Sequence, residues 1–76
     1  MTGFERITWF YEKLKKNTYP RCRKFLAHFE VSESTFKRDL AFLRDRLGAP
    51  VDYDQDRHGY FLTDRSFELP SFWFDH

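Results

Sequence analysis

The hydrophobic periodicity of this chain changes once, at Ala49, and that change limits what it can fold into. Before it, apolar residues recur at helical spacing in three separate stretches; after it, they alternate around a turn. Phe4, Ile7, Tyr11 and Leu14 are three, four and three residues apart with Glu12, Lys13, Lys15 and Lys16 between them, which predicts an amphipathic helix over residues 4–16. Asn17-Thr18-Tyr19-Pro20 ends it, because proline disfavours the α region for the residue before it and suits the first turn of a new helix. A second helix is therefore expected from near Pro20, with Cys22, Phe25, Leu26 and Phe29 as its inward stripe. After Glu30 and Val31, Ser32 is a good N-cap and Glu33 complements the helix dipole. A third helix over 32–47 buries Phe36, Leu40, Leu43 and Leu47 and stops at Gly48, with Pro50 preventing continuation.

Beyond Ala49, Val51-Asp52-Tyr53-Asp54 alternates, Gln55-Asp56-Arg57-His58-Gly59 is turn-rich and Tyr60-Phe61-Leu62-Thr63 is apolar, so a β-hairpin over 51–63 with a five-residue loop is expected. Two helices joined by a short turn and followed by a hairpin have the order of a helix-turn-helix with a wing. The fold class expected is mainly α with a small β-hairpin: a winged helix-turn-helix of three helices plus wing. Residues 1–63 form that domain. Residues 64–76 hold Phe67, Leu69, Phe72, Trp73 and Phe74 around Pro70, too apolar for a free tail, and are expected to connect to a partner surface.

With 76 residues there is room for one small core, and ten Phe, four Tyr and two Trp supply large rings to fill it. The single Cys22 excludes an intramolecular disulfide, which points to a reducing compartment, the cytoplasm or, when bound to DNA, the nucleoid. No apolar run is long enough for a membrane span. The net charge of +1 conceals a division: residues 1–48 carry eleven Lys or Arg against six Asp or Glu, whereas residues 49–76 carry two against six. The first two thirds is a basic module suited to a polyanion.

The run Phe29-Glu30-Val31-Ser32-Glu33-Ser34-Thr35-Phe36-Lys37-Arg38-Asp39-Leu40, then Leu43-Arg44-Asp45-Arg46-Leu47-Gly48-Ala49-Pro50-Val51, with Tyr53-Asp54 and Gly59-Tyr60, resembles the N-terminal winged helix-turn-helix of WYL-domain transcriptional regulators, a DeoR-like, HTH_11-type domain. Arg6-Ile7, Trp9-Phe10 and Tyr19-Pro20 fit the same pattern, and Leu69-Pro70 with Trp73-Phe74 resembles the start of the connector to the effector domain. The resemblance implies a DNA-reading head. The effector-sensing WYL domain it also implies is absent from these residues, so the chain is expected to be an excised or truncated head. In helix-turn-helix motifs the turn often has Gly or Asn; here Glu30 has to take any left-handed conformation, at about 1–2 kcal/mol.

A reading helix places short polar and long cationic side chains at its N-terminal end, where base edges are displayed in the major groove. The candidates are Ser32, Ser34, Thr35, Lys37 and Arg38: Arg38 for guanine or phosphate, Lys37 for phosphate, the hydroxyls for either. Arg21 and Arg23, opening the second helix, are candidates for the DNA backbone. Arg57 and His58 at the wing tip can reach phosphates or the minor groove, although Asp52, Asp54 and Asp56 surround them. Arg44 and Arg46 are expected to pair with acids, Asp39 to orient a cation, Phe42 to cover the wing or a partner, and Cys22 to be a small core residue.

No Ser/His/Asp or Cys/His motif and no Gly-rich phosphate loop is present, and the histidines lack metal-ligand spacing; no catalytic residue, metal or cofactor is nominated. The function expected is sequence-specific binding of double-stranded DNA in a bacterial-type transcriptional regulator, acting as a homodimer because one head with few phosphate contacts binds weakly. The competing expectation is a winged-helix protein-interaction module in which the basic face is only solvated.

Overall fold

The structure, a computed structural model, describes residues 3–74. Three helices, α1 (Gly3–Lys15), α2 (Cys22–Phe29) and α3 (Glu33–Ala41), are followed by one antiparallel hairpin of β1 (Val51–Asp54) and β2 (Gly59–Leu62) and a 3₁₀ turn over Ser71–Phe74. Of the expected α1 stripe, Ile7, Tyr11 and Leu14 are buried and Phe4 is partly buried against the core; Phe10, outside that stripe, is buried as well. Phe25 of α2, 1% exposed, sits at the centre of the core, its ring 6.0 Å from Phe10 and 5.0 Å from Phe36, both edge-on. Rings meeting edge to face fill a small interior with few side chains. No helix among the described residues is long and apolar enough to cross a membrane.

α2 begins at Cys22, not at Pro20. Arg21 is extended at φ −107°, ψ 150°, and the Pro20 carbonyl accepts a hydrogen bond from the Tyr60 amide at 2.9 Å. The linker before α2 thus runs alongside β2, and the extended Arg21, whose carbonyl accepts from the Phe25 amide at 3.2 Å, sets the start of the helix two residues after Pro20. The turn between α2 and α3 behaves as expected: Glu30 is left-handed at φ 54°, ψ 49°, its amide donating to the Leu26 carbonyl.

Ser32 caps α3, its Oγ accepting from the Thr35 amide at 3.4 Å. Regular α-helix ends at Ala41, earlier than the expected 47, because residues Phe42–Arg46 form a wider π turn closed by the Leu47 amide on the Phe42 carbonyl. The wider turn keeps both Leu43 and Leu47 buried. Gly48 follows at φ 76°, the left-handed stop its position predicted.

The hairpin pairs Val51 with Leu62 and Asp54 with Gly59, so its loop is the four residues 55–58 instead of five. The left-handed position falls on His58, φ 56°. Gly59 is required for space: a Cβ there lies 2.7 Å from the Tyr19 carbonyl carbon and closer still to its oxygen.

Residues 64–74 return to the helices. Arg65 donates to the carbonyls of Leu14 and Lys15 at 2.9 and 2.6 Å, satisfying the end of α1, and Lys15 Nζ donates in return to the Arg65 and Phe67 carbonyls. Leu69 and Trp73 join the core, and Trp73 Nε1 donates to Thr8 Oγ1 at 2.9 Å. Phe72 and Phe74 stay 65% and 56% exposed, and the expected outward-facing apolar surface reduces to these two beside Phe42. Phe42 lies 6.0 Å from the Trp73 ring, so it covers this segment and not the hairpin.

Candidate nucleic-acid interface

Helical phase decides which α3 side chains are available. With Phe36, Asp39 and Leu40 buried, the opposite side presents Ser34, Lys37, Arg38 and Ala41, all exposed. Asp39 anchors the helix from behind: the Arg6 guanidinium of α1 donates to its carboxylate at 2.5 Å, with side chains only 16% and 11% exposed. That hydrogen bond pushes the Arg6 pKa up, so the cation is permanent and the pair fixes α3 against α1.

Arg21 and Arg23 at the start of α2, Lys37 on α3 and His58 at the hairpin tip surround one cleft of about 630 Å³, floored by Phe36, Leu40 and Tyr60. Its one carboxylate, Glu33, lies 3.9 Å from Lys37 Nζ, a fully solvated pair that adds little stability. The Arg21 side chain does not cap α2 and instead donates to the Arg57 carbonyl at 3.4 Å. Among the described residues, neither the Arg23 nor the Arg38 side chain makes a hydrogen bond or ion pair within the chain.

Cys22, expected as a small core residue, packs against the core from a half-buried position and also forms part of the cleft wall. Burial first, then the charge of Glu33, pushes its thiol pKa up and keeps it protonated. Burial likewise raises the Tyr60 hydroxyl.

Ser32 and Thr35 face one another with their hydroxyls 3.3 Å apart, as part of the helix cap. Arg57 does not extend from the hairpin. Its guanidinium carbon sits 4.7 Å from the Tyr19 ring centroid, its Nη1 reaches Asp54 at 3.5 Å, and its carbonyl accepts from Arg21 at 3.4 Å. Minor-groove insertion by the Arg57 side chain requires leaving Tyr19 and Asp54. Asp54 points into its own turn, accepting from the amides of Arg57 at 3.0 Å and Asp56 at 2.8 Å. The Arg57 amide leads the effects that hold the Asp54 carboxyl below the usual carboxylate range. Arg44 does not pair with an acid: its Nε donates to the Val51 carbonyl at 3.1 Å and ties the π turn to β1.

Sequence reasoning missed a second concave region, of about 590 Å³, between the C-terminal half of α1, the linker and the flank of α2. Trp9 and Lys13, four residues apart on α1, carried a local signal for it, since that spacing places a cation over a ring. His28, which stacks on Trp9 at 4.8 Å and 22°, comes from another helix and left no such signal. Among the described residues, no group of three or more His, Cys, Asp or Glu is placed to hold a metal ion. Comparison with known protein families, with curated proteins and with solved structures finds no match.

Proposed function

We propose that this chain is a winged helix-turn-helix domain that binds double-stranded DNA in a sequence-specific manner, the reading head of a transcriptional regulator. α2 and α3 form the helix-turn-helix, the β1–β2 hairpin is the wing, and α3 lies in the major groove. The observation that carries this reading is the convergence of Arg21, Arg23, Lys37 and His58, from three separate elements, around one cleft beside the exposed Ser34 and Arg38. A duplex presents phosphates on both sides of the groove it opens to a helix, and cations on α2 and the hairpin flanking α3 match that distribution. Arg38 reads a base edge, Lys37 and Arg23 hold phosphates, and Arg21, braced on the Arg57 carbonyl, holds a third. Two copies on a symmetric site supply the affinity that one head lacks.

Fluorescence anisotropy of labelled duplexes across a salt series tests this. The expected result is a steep fall of log K with log salt and a preference for a duplex selected from a random pool over its scramble. Per bound chain, Arg38→Ala costs about 1–3 kcal/mol on the selected duplex and flattens the preference, whereas Lys37→Ala weakens all sequences and lowers the salt slope by about 1. Absence of binding at low salt, or two variants indistinguishable from the parent, refutes the reading. The second reading, a protein-interaction module, draws on Phe72 and Phe74, 65% and 56% exposed, and predicts a partner that Phe72→Ser releases and Arg38→Ala does not.

A further inference from the structure

The groove between α1 and α2 is built as an anion site. Lys13, Arg21 and Lys24 line it, and none of its lining residues carries a carboxylate. Its rings are supports more than open platforms. Trp9 already stacks with His28 and has Lys13 Nζ 5.3 Å from its centroid, while Tyr19 carries the Arg57 guanidinium at 4.7 Å and meets Phe61 at 6.0 Å. A ring engaged in this way offers little face to an incoming base; it holds a cation in place. The groove therefore suits phosphates and not stacked nucleobases.

Two further observations give it direction. Tyr19 has φ 53°, a left-handed conformation that is costly for a bulky residue, and the Arg57 and Phe61 contacts hold it there as part of the groove wall. Arg21 lines both this groove and the cleft beside α3, so the start of α2 is a ridge with cations on either side. From Arg21 to His28 the helix rises about 10 Å, the axial advance of about three nucleotides.

We infer that this groove holds the sugar-phosphate backbone of duplex DNA immediately outside the segment read by α3, with Lys13 and Lys24 as its phosphate-binding residues. The inference rests on the DNA-binding reading and lengthens its footprint. One strand passes over Arg21 from the first cleft into the second, and specificity stays with α3.

The test uses a duplex selected by the parent chain from a random pool, full length and trimmed by about three base pairs at each end, a span set by the groove length. The Lys13→Ala/Lys24→Ala variant is compared with Lys16→Ala/Arg46→Ala, which removes equal charge from exposed positions lining neither cleft; circular dichroism checks that both fold. The expected result is a salt slope lower by about 1.8 per bound chain for Lys13→Ala/Lys24→Ala, so that its deficit against the parent changes about tenfold per bound chain between roughly 50 and 200 mM salt. The control keeps the parent slope. Trimming lowers the slope of the parent and leaves that of Lys13→Ala/Lys24→Ala unchanged.

A parent slope retained in Lys13→Ala/Lys24→Ala, or an equal loss in the control, overturns the inference while the DNA-binding reading stands. Saturable binding of inorganic tripolyphosphate that this variant loses, with an unchanged duplex slope, assigns the groove to a free polyphosphate and also overturns it. A parent chain that selects no duplex overturns both.

Discussion

Replacing Gly59 with alanine tests whether the hairpin is locked to the linker between α1 and α2. The new Cβ falls 2.7 Å from the Tyr19 carbonyl carbon and 2.9 Å from the Tyr19 Cβ, so the two backbone segments have to part by several tenths of an ångström or more. The first casualty is the hydrogen bond from the Tyr60 amide to the Pro20 carbonyl, 2.9 Å long. Pro20 is buried, and an acceptor left without a partner there costs about 1–3 kcal/mol. Displacing packed backbone adds about 1–2 kcal/mol, while the stiffer unfolded chain returns about 0.4–1 kcal/mol. The net expectation is a loss of about 2–4 kcal/mol, or about 10–20 °C in Tm for a domain this small. Urea unfolding followed by tryptophan fluorescence and circular dichroism measures it, and amide hydrogen exchange at Tyr60 localises it. Gly48→Ala is the contrast: nothing lies within 4 Å of its added Cβ, so only the φ of 76° is penalised, at about 1–2 kcal/mol, and Tyr60 exchange stays slow. A Gly59→Ala variant that loses less than about 1 kcal/mol, with Tyr60 still protected, refutes the lock.

Three further outcomes are expected. Glu30→Gly relieves the left-handed strain at φ 54° and, after the entropy of glycine in the unfolded state, raises stability by about 0.5–1 kcal/mol in denaturant melts. Asp54 has a folded pKa below its unfolded one, so its contribution is full above the ordinary carboxylate range and is lost as pH falls through the lowered value. The gap in urea midpoint between the parent and Asp54→Asn should narrow from neutral pH toward pH ~3, and a gap independent of pH refutes the role of the charge. Asp39→Asn weakens the link to Arg6 at a site with side chains 16% and 11% exposed, and a loss of about 1–3 kcal/mol is expected. The Arg6→Met/Asp39→Leu pair should recover part of that loss; no recovery identifies a cost other than an unpaired charge.

What could be read in advance was local. The main part of the α1 and α2 stripes, the Ser32 cap and the Gly48 stop each depend on residues within one or two turns, and Ile7, Tyr11, Leu14, Phe25 and Phe29 are buried as expected, with Phe4, Cys22 and Leu26 partly so. Strain at Glu30 was legible for the same reason, since a three-residue turn between helices leaves few conformations to choose from. The departures depend on distant partners. α2 starts near Pro20 as expected but two residues after it, where Arg21 is extended and the Pro20 carbonyl accepts from Tyr60, forty residues on. The hairpin loop is shorter because the left-handed position is carried by His58, and the seat of Arg57 over Tyr19 joins residues too far apart for any local pattern to announce. For the candidate site, Ser34, Lys37 and Arg38 were legible from helical phase, whereas the second groove requires α2 to bring His28 onto Trp9.

The acidic C-terminal third bears on the DNA-binding proposal in a way that net charge alone hides. Asp52 accepts from the Tyr53 amide at 2.8 Å, Asp54 from the amides of Asp56 and Arg57, and Asp64 from the amide and hydroxyl of Ser66 at 2.9 and 2.6 Å. The two Ser66 bonds hold the Asp64 carboxyl below the usual carboxylate range, as the turn amides do for Asp54. These carboxylates keep their charge, but each points part of it at N–H or O–H dipoles of its own turn, which offset some of the field reaching outward. Among the described residues lining the two clefts, only Glu33 is acidic, and Lys37 lies beside it. The cations of α2 and α3 therefore set the sign of the field on the face proposed to meet DNA, while the hairpin acids stiffen the turn that holds His58 at its edge.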